Sequence, residues 1–289
     1  MLPHLDRCGH GGPKIAEILS EYRSDQHLRI NSTSASQAQG TLKKFIFHQS
    51  IKSPADITRQ AVTNYLAAQK AAGLAPRTLI HYLSAVRAFC EFLVDSGHLA
   101  TNPAARVRVK APLTTPPNYL TDDQVRQCLA VSAAYGWGWP VKLALNTGMR
   151  KMELIAAEIG HIHFTDKTIS TIGKGGRHRV IPLNDSIMAD LQILRDCGLG
   201  GRLIVNHSGR VMSQATFEKR LYPIQEKLPV ITGYHIFRHT WATQLYRSGT
   251  PLELIAQWLG HANIKTTLDH YANLGHVFND NVNNWKTEA

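Results

Sequence analysis

Apolar residues recur every three or four positions through the first part of the chain: Ile15, Ile18, Leu19 and Tyr22; Leu42, Phe45 and Ile46; Val62, Tyr65 and Leu66; then Leu79, Tyr82, Leu83, Val86, Phe89 and Leu93. That period puts each set on one helical face, so four or five short helices are predicted, the last opening after Pro76 and closing at Gly97. The pattern breaks at Asn102 to Asn118, where Pro103, Pro112, Pro116 and Pro117 alternate with Arg106, Arg108 and Lys110. Prolines suppress helix there, and an extended basic linker is expected. Beyond it, Thr121 to Gln124 forms a capping box ahead of Val125, Cys128 and Leu129. A helix over Val141 to Asn146 should end at Thr147-Gly148. Ile162 to Phe164, Thr168 to Ile172 and Arg179 to Leu183 read as short strands, with Gly173, Lys174, Gly175 and Gly176 turning between the last two. Helices resume from Ser213, punctuated by Gly233, Gly249 and Gly260. The fold class predicted is mainly α with a small antiparallel β-sheet.

Composition narrows the class. With 289 residues, 43% of them hydrophobic, the chain can hold two domains with sizeable cores and is neither fibrous nor disordered. Its apolar runs are broken by charge well short of the roughly 18 residues a membrane span needs. The start, MLPHLDRCGHGG, lacks the continuous apolar segment of a signal peptide, so cytoplasmic residence is expected. Four cysteines without CxxC spacing suggest neither a zinc knuckle nor a disulfide framework, and Cys90 and Cys128 fall at core positions. His4, Cys8 and His10 lack a fourth nearby metal ligand. A net charge of +11 points to a polyanionic partner, or alternatively to a basic surface that only maintains solubility. Residues 1–110 hold 14 of the 32 Lys/Arg against 7 Asp/Glu, which makes the N-terminal part the stronger electrostatic clamp. Its candidate DNA contacts are Lys43, Lys44, Arg77, His81 and Arg87, continued by Arg106, Arg108 and Lys110 in the linker.

The second part carries the candidate chemistry. Arg150 follows a glycine turn, with Glu153 one helical turn later; alone, this reads as an ordinary surface pair. Lys174 sits at a glycine-flanked hairpin tip made basic by Arg177, His178 and Arg179, which could equally be simple backbone contact. His235 and Arg238 share a helical face, and Ile236 stands where a zinc-protease helix needs glutamate. His261 follows a helix stop at Gly260. Tyr271 lies on the next helix, where a lone tyrosine is usually packing. Two guanidinium forks can grip both free oxygens of one phosphate, lysine and histidine can move protons, and a phenol beside cations can attack phosphorus.

In this order the motifs TGMRKMEL, TIGKGGRHRVIPL, YHIFRHTWAT and LGHANIKTTLDHYANL resemble those of the tyrosine recombinase, or phage integrase, family, in its short Xer-like form. The resemblance implies a helical, SAM-like core-binding domain over 13–105 and a catalytic domain over 119–289 with a tail from 274; the composition break places the basic linker over 106–118, and a frayed start is expected over 1–12. It implies that Arg150 and Arg238 hold the scissile phosphate, Lys174 protonates the leaving 5′ oxygen, His235 assists at the nucleophile, His261 hydrogen-bonds the phosphate and Tyr271 forms a 3′-phosphotyrosyl link. Glu153 would support the site. Ten residues separate His261 from Tyr271, where nine is the commoner spacing, and the nine-residue position holds His270. The implied partner is duplex DNA with inverted-repeat sites, bound by a dimer per site and a homotetramer on synapsed DNA, with accessory proteins left open. No metal, nucleotide or membrane is implied. The rival readings are type IB topoisomerase-like strand relaxation and a non-catalytic DNA-binding accessory protein.

Overall fold

The computed structural model describes residues 14–29, 32–110, 118–173, 176–198, 200–206 and 208–261. The chain divides into two compact units, Met1–Thr114 and Thr115–Ala289. Described elements of the first are helices α1 (Ile15–Arg29), α2 (Ser32–His48), α3 (Arg59–Ala71) and α4 (Pro76–Asp95). Each apolar stripe read from the sequence faces one core, in which Tyr22, Leu42, Phe45, Val62, Tyr65 and Phe89 are buried. Thr58 caps α3 by accepting the Ala61 N–H, and Pro76 occupies the first turn of α4, where its missing N–H costs nothing.

The basic segment after α4 is less open than its prolines suggest. Ala104 and Val107 are buried in the same core. Arg87 explains why: its Nη2 donates to the Val107 carbonyl at 2.8 Å and its Nε to that of Ala104 at 3.3 Å. Asn102 adds a bond from Nδ2 to the Arg87 carbonyl. Arg87, expected on a DNA-facing surface, is therefore a half-buried brace that holds the start of the segment on α4.

The second unit contains α5 (Asp122–Ala134), α6 (Gly138–Thr147), α7 (Lys151–Ala156), strands β1 (Ile162–His163), β2 (Thr168–Ile172) and β3 (His178–Pro182), then α8 (Asp185–Asp196), α9 (Gln214–Lys219), α10 (Tyr222–Lys227), α11 (His235–Arg247) and α12 (Leu252–Leu259). The capping box forms as predicted, with Thr121 N–H donating to Gln124 Oε1 and Gln124 N–H to Thr121 Oγ1. The three strands make one antiparallel sheet in sequence order, with Ile169 opposite Ile181 and Thr171 opposite Arg179. Alternation sends Arg179 and Ile181 inward, and His178 and Val180 to solvent. A core of Val141, Leu143, Leu154, Ile181, Phe217 and Phe237 packs the helices against this sheet. The chain enters the unit pinned to α11: Leu120 N–H donates to Thr240 Oγ1 and Arg247 Nη2 to Tyr119 Oη. Cys90 and Cys128 are fully buried, and burial pushes both thiols up to about 12. Among the described residues, no helix is long and apolar enough to cross a membrane.

Candidate active site

Two glycine stops aim the site's side chains. Helix α6 ends at Gly148, whose φ of 57° is open to glycine with little strain. A Cβ there would lie 2.3 Å from the Trp241 ring, so side-chain size forbids any other residue as firmly as the backbone does. The turn buries Met149 and leaves Arg150 extended at the N-cap of α7. Glu153 accepts the Arg150 backbone N–H on Oε2 at 2.7 Å and the Arg150 Nη1 on Oε1 at 3.1 Å. Arg150 Nη2 reaches across to the Gly260 carbonyl at 3.2 Å.

Helix α12 ends at the second stop, Gly260, with φ of 64°. His261 follows directly, its N–H donating to the Ala256 carbonyl. Arg238 rises from the first turn of α11 and joins both stops: Nη1 donates to the Gly148 carbonyl at 2.8 Å and Nη2 to the Leu259 carbonyl at 2.5 Å. The same Nη2 lies 3.2 Å from His261 Nε2. Arg238 is only 4% exposed, and its hydrogen bonds to carbonyls fix the plane of its charge. Arg150, Arg238 and His261 thus converge from α7, α11 and the end of α12. A cleft of about 550 Å³ opens beside them, lined by Arg150, Gly173, Arg177, Gly260 and His261.

His235 opens α11 on the face of Arg238, and its ring keeps solvent contact. Partial burial, followed by the positive charges of Arg238, Arg150 and Lys151, holds it below the ordinary histidine range. It is therefore a neutral imidazole near neutral pH, able to take a proton. Because the folded value is the lower one, the unfolded chain gains its proton first as pH falls through about 6.5. Stability should fall as pH drops from there towards the folded value. His235→Asn should flatten that slope in urea titrations compared across the same window.

Of the residues predicted to act, Arg150, His235, Arg238, His261 and Glu153 are gathered around this point. Lys174 and Tyr271 lie outside the described residues, as do His270, the tail from 274, and His4, Cys8 and His10. The residue before Lys174 is placed: Gly173 N–H donates to the Arg177 carbonyl, and a Cβ on Gly173 would sit 3.6 Å from Arg150 Nη1. Lys43, Lys44, Arg77, His81, Arg106, Arg108, Lys110 and Arg177 are exposed. Arg179 corrects the sequence reading: its side chain is 6% exposed and both terminal nitrogens are bound to Glu153. It cannot serve as a surface contact to DNA. Tyr234 is excluded as a nucleophile by position, since its Oη accepts from Trp137 Nε1 and donates to the Phe217 carbonyl inside the core. Sequence reasoning missed Lys151, which contacts Glu218 and adds positive charge near His235. Its adjacency to Arg150 at the start of a helix was the available signal.

Arginines fixed by carbonyls and a carboxylate, with two imidazoles beside them, make a site whose chemistry suits an anion such as a phosphate. Residues 118–276 match the family model of the phage integrase family, and residues 32–97 match the phage integrase N-terminal SAM-like domain. The chain belongs to the phage integrase family. Among curated relatives it is 27% identical over 234 residues to tyrosine recombinase XerD of Halalkalibacterium halodurans, covering 75% of this chain and 78% of that protein. It is 30% identical over 233 residues to tyrosine recombinase XerC of Mycobacterium sp. strain KMS, covering 73% and 77%. Its fold is similar to that of the Tn1549 transposon integrase in complex with transposon right end DNA, with TM-score 0.74 at 16% identity over 92% of this chain and 99% of that one. It is also similar to a lambda integrase dimer bound to a COC′ core site, with TM-score 0.73 at 17% identity over 96% and 80%.

Proposed function

We propose that this chain is a site-specific DNA recombinase that cuts and rejoins duplex DNA through a tyrosine-linked intermediate. The observation that carries the reading is the convergence of Arg150, Arg238 and His261 from three elements onto one point, the two arginines held by carbonyls and a carboxylate and the His261 ring set against the Arg238 guanidinium. A pentacoordinate phosphorane gains negative charge as it forms, and donors fixed in advance stabilise that charge without reorganising. Tyr271 Oη bonds to phosphorus while the bond to the 5′ oxygen breaks. Lys174 gives that oxygen its proton, and His235, kept neutral, receives the phenol's. The phosphotyrosyl bond conserves the energy of the broken ester, so a later 5′ hydroxyl can reverse the step without a nucleotide. The structural neighbours solved on DNA and the recombinases among the relatives support duplex DNA as the partner. In this reading the chain acts as a dimer on each inverted-repeat site and as a tetramer in synapsis, on nucleoid DNA in the cytoplasm; the lambda integrase dimer on its core site supports the dimer.

Covalent trapping tests this. Protein incubated with nicked suicide duplexes from a genomic library should yield a 3′-linked adduct that survives in His270→Ala and vanishes in Tyr271→Phe. An adduct retained in Tyr271→Phe would refute the assignment of the nucleophile. Salt-sensitive binding without any adduct would favour a DNA-binding accessory protein.

A further inference from the structure

Resting on the recombinase reading, we infer that Arg179, buried under the site, is a positioning residue that sets three catalytic segments at once through its pairing with Glu153. Its guanidinium meets the Glu153 carboxylate fork to fork, Nη1 to Oε1 at 2.8 Å and Nη2 to Oε2 at 2.6 Å. Each Glu153 oxygen carries one further bond, and both go to Arg150: Oε2 accepts its backbone N–H and Oε1 its Nη1. A planar two-pronged pair fixes the plane of the carboxylate as well as its place. Arg179 therefore decides where the remaining lone pairs of Glu153 point, and with them the Arg150 side chain.

The same guanidinium touches two other segments. A Cβ on Gly260 would lie 2.9 Å from Arg179 Nη1 and 3.0 Å from its Cδ, so that chain segment rests directly on the arginine. The Gly260 carbonyl is the second anchor of Arg150, and the next residue is His261. A Cβ on Gly173 would lie 3.3 Å from both Arg179 Nη1 and Glu153 Oε1, and the next residue there is Lys174. One ion pair thus underlies Arg150 and the residues immediately before Lys174 and His261. Glycine at 173 and 260 lets the backbone approach the pair this closely.

The cost of this arrangement argues that it has a use. Arg179 is buried, and its Nε finds no hydrogen-bond partner among the described residues. A strut between β3 and α7 could be built from apolar side chains without leaving a donor unsatisfied. A charged pair supplies orientation that apolar packing does not.

The test compares wild type, Arg179→Met, Arg179→Lys, Glu153→Gln and the Glu153→Gln/Arg179→Met double variant. For each, the rate of adduct formation at saturating suicide duplex, the DNA affinity with its salt slope, and amide exchange of the free protein are measured well below its melting temperature. In Arg179→Met the rate should fall about 10²-fold, as misplacement of about 1 Å can do, with affinity and salt slope unchanged. Amide exchange should quicken at 173 and at 260–261. Arg179→Lys, which keeps the charge and loses the fork, should recover part of the rate. The double variant should be no slower than the slower single variant, because both act through one carboxylate. A salt slope lower by about 0.9 with full cleavage at saturation would instead make Arg179 a phosphate contact and overturn the proposal. So would additive rate losses. Should Arg179→Met fail to fold, Arg179→Lys decides: a wild-type rate with wild-type exchange refutes positioning. If wild type itself forms no adduct, the recombinase reading fails, while unaltered exchange at 260–261 in the variants would separately refute the positioning role.

Discussion

Replacing Arg238 by lysine should slow covalent adduct formation by about 10²–10³-fold, the loss expected when one fixed donor to a transition-state anion is removed. Lysine retains the charge but has no planar fork. It cannot span the Gly148 and Leu259 carbonyls together, which are the bonds that orient the arginine. The ammonium would settle on one carbonyl, leave the other without its donor, and lie out of plane for the phosphate. Adduct formation on a suicide duplex at saturating protein measures this, with fluorescence anisotropy reporting DNA affinity separately. Because many basic side chains share the binding energy, affinity should change far less than rate. A lysine variant cutting within threefold of wild type would show that charge alone suffices at this position.

Glu153→Ala should destabilise the second unit by about 3–5 kcal/mol, the effect of stranding a buried ion. Arg179 would keep its charge in the core with both prongs of its fork emptied, and α7 would lose the acceptor for its Arg150 N-cap N–H. Burial already works against the charge of Arg179, and Glu153 is what offsets it. Removing both ions should do less harm: Glu153→Leu/Arg179→Met should regain most of the lost stability yet remain slow in cleavage. Urea unfolding followed by far-UV circular dichroism gives the first quantity and the trapping assay the second. A double variant no more stable than Glu153→Ala would place the destabilisation in packing rather than in the stranded charge.

The helices were legible because their causes are local. Each apolar stripe in α1 to α4 turned inward as read, and Thr121 with Gln124 closed its box. The three strands emerged within one or two residues of the expected limits. The placing of Arg150 and His261 was equally legible, because each comes just after a glycine stop that can be read by itself. What stayed hidden depends on partners far away in sequence. Arg177 and Arg179 look alike in the run GGRHRV, yet one is exposed and the other pairs with a carboxylate 26 residues earlier. Alternation along β3 could have separated them, had the sheet's inner face been assigned first. Arg87 was read as surface because the carbonyls it holds lie 17 and 20 residues on, in a segment whose prolines suggested an open chain. The spacing of Arg238 to His235 showed a shared helical face, whereas its bonds to Gly148 and Leu259 bridge 90 and 21 residues.

The left-handed stops at Gly148 and Gly260 bear on how such a protein can change over time. A helix that halts at glycine hands the next residue a direction, whatever the length of chain that came before. Insertions in the connection between α8 and α9, or in the turns around the sheet, would leave Arg150 and His261 aimed as they are so long as the helices that end at those glycines stay packed. Lineages can therefore drift far apart in their connecting segments while the cutting machinery holds still. The two glycines themselves are among the least replaceable residues, although neither has a side chain to contribute to the chemistry.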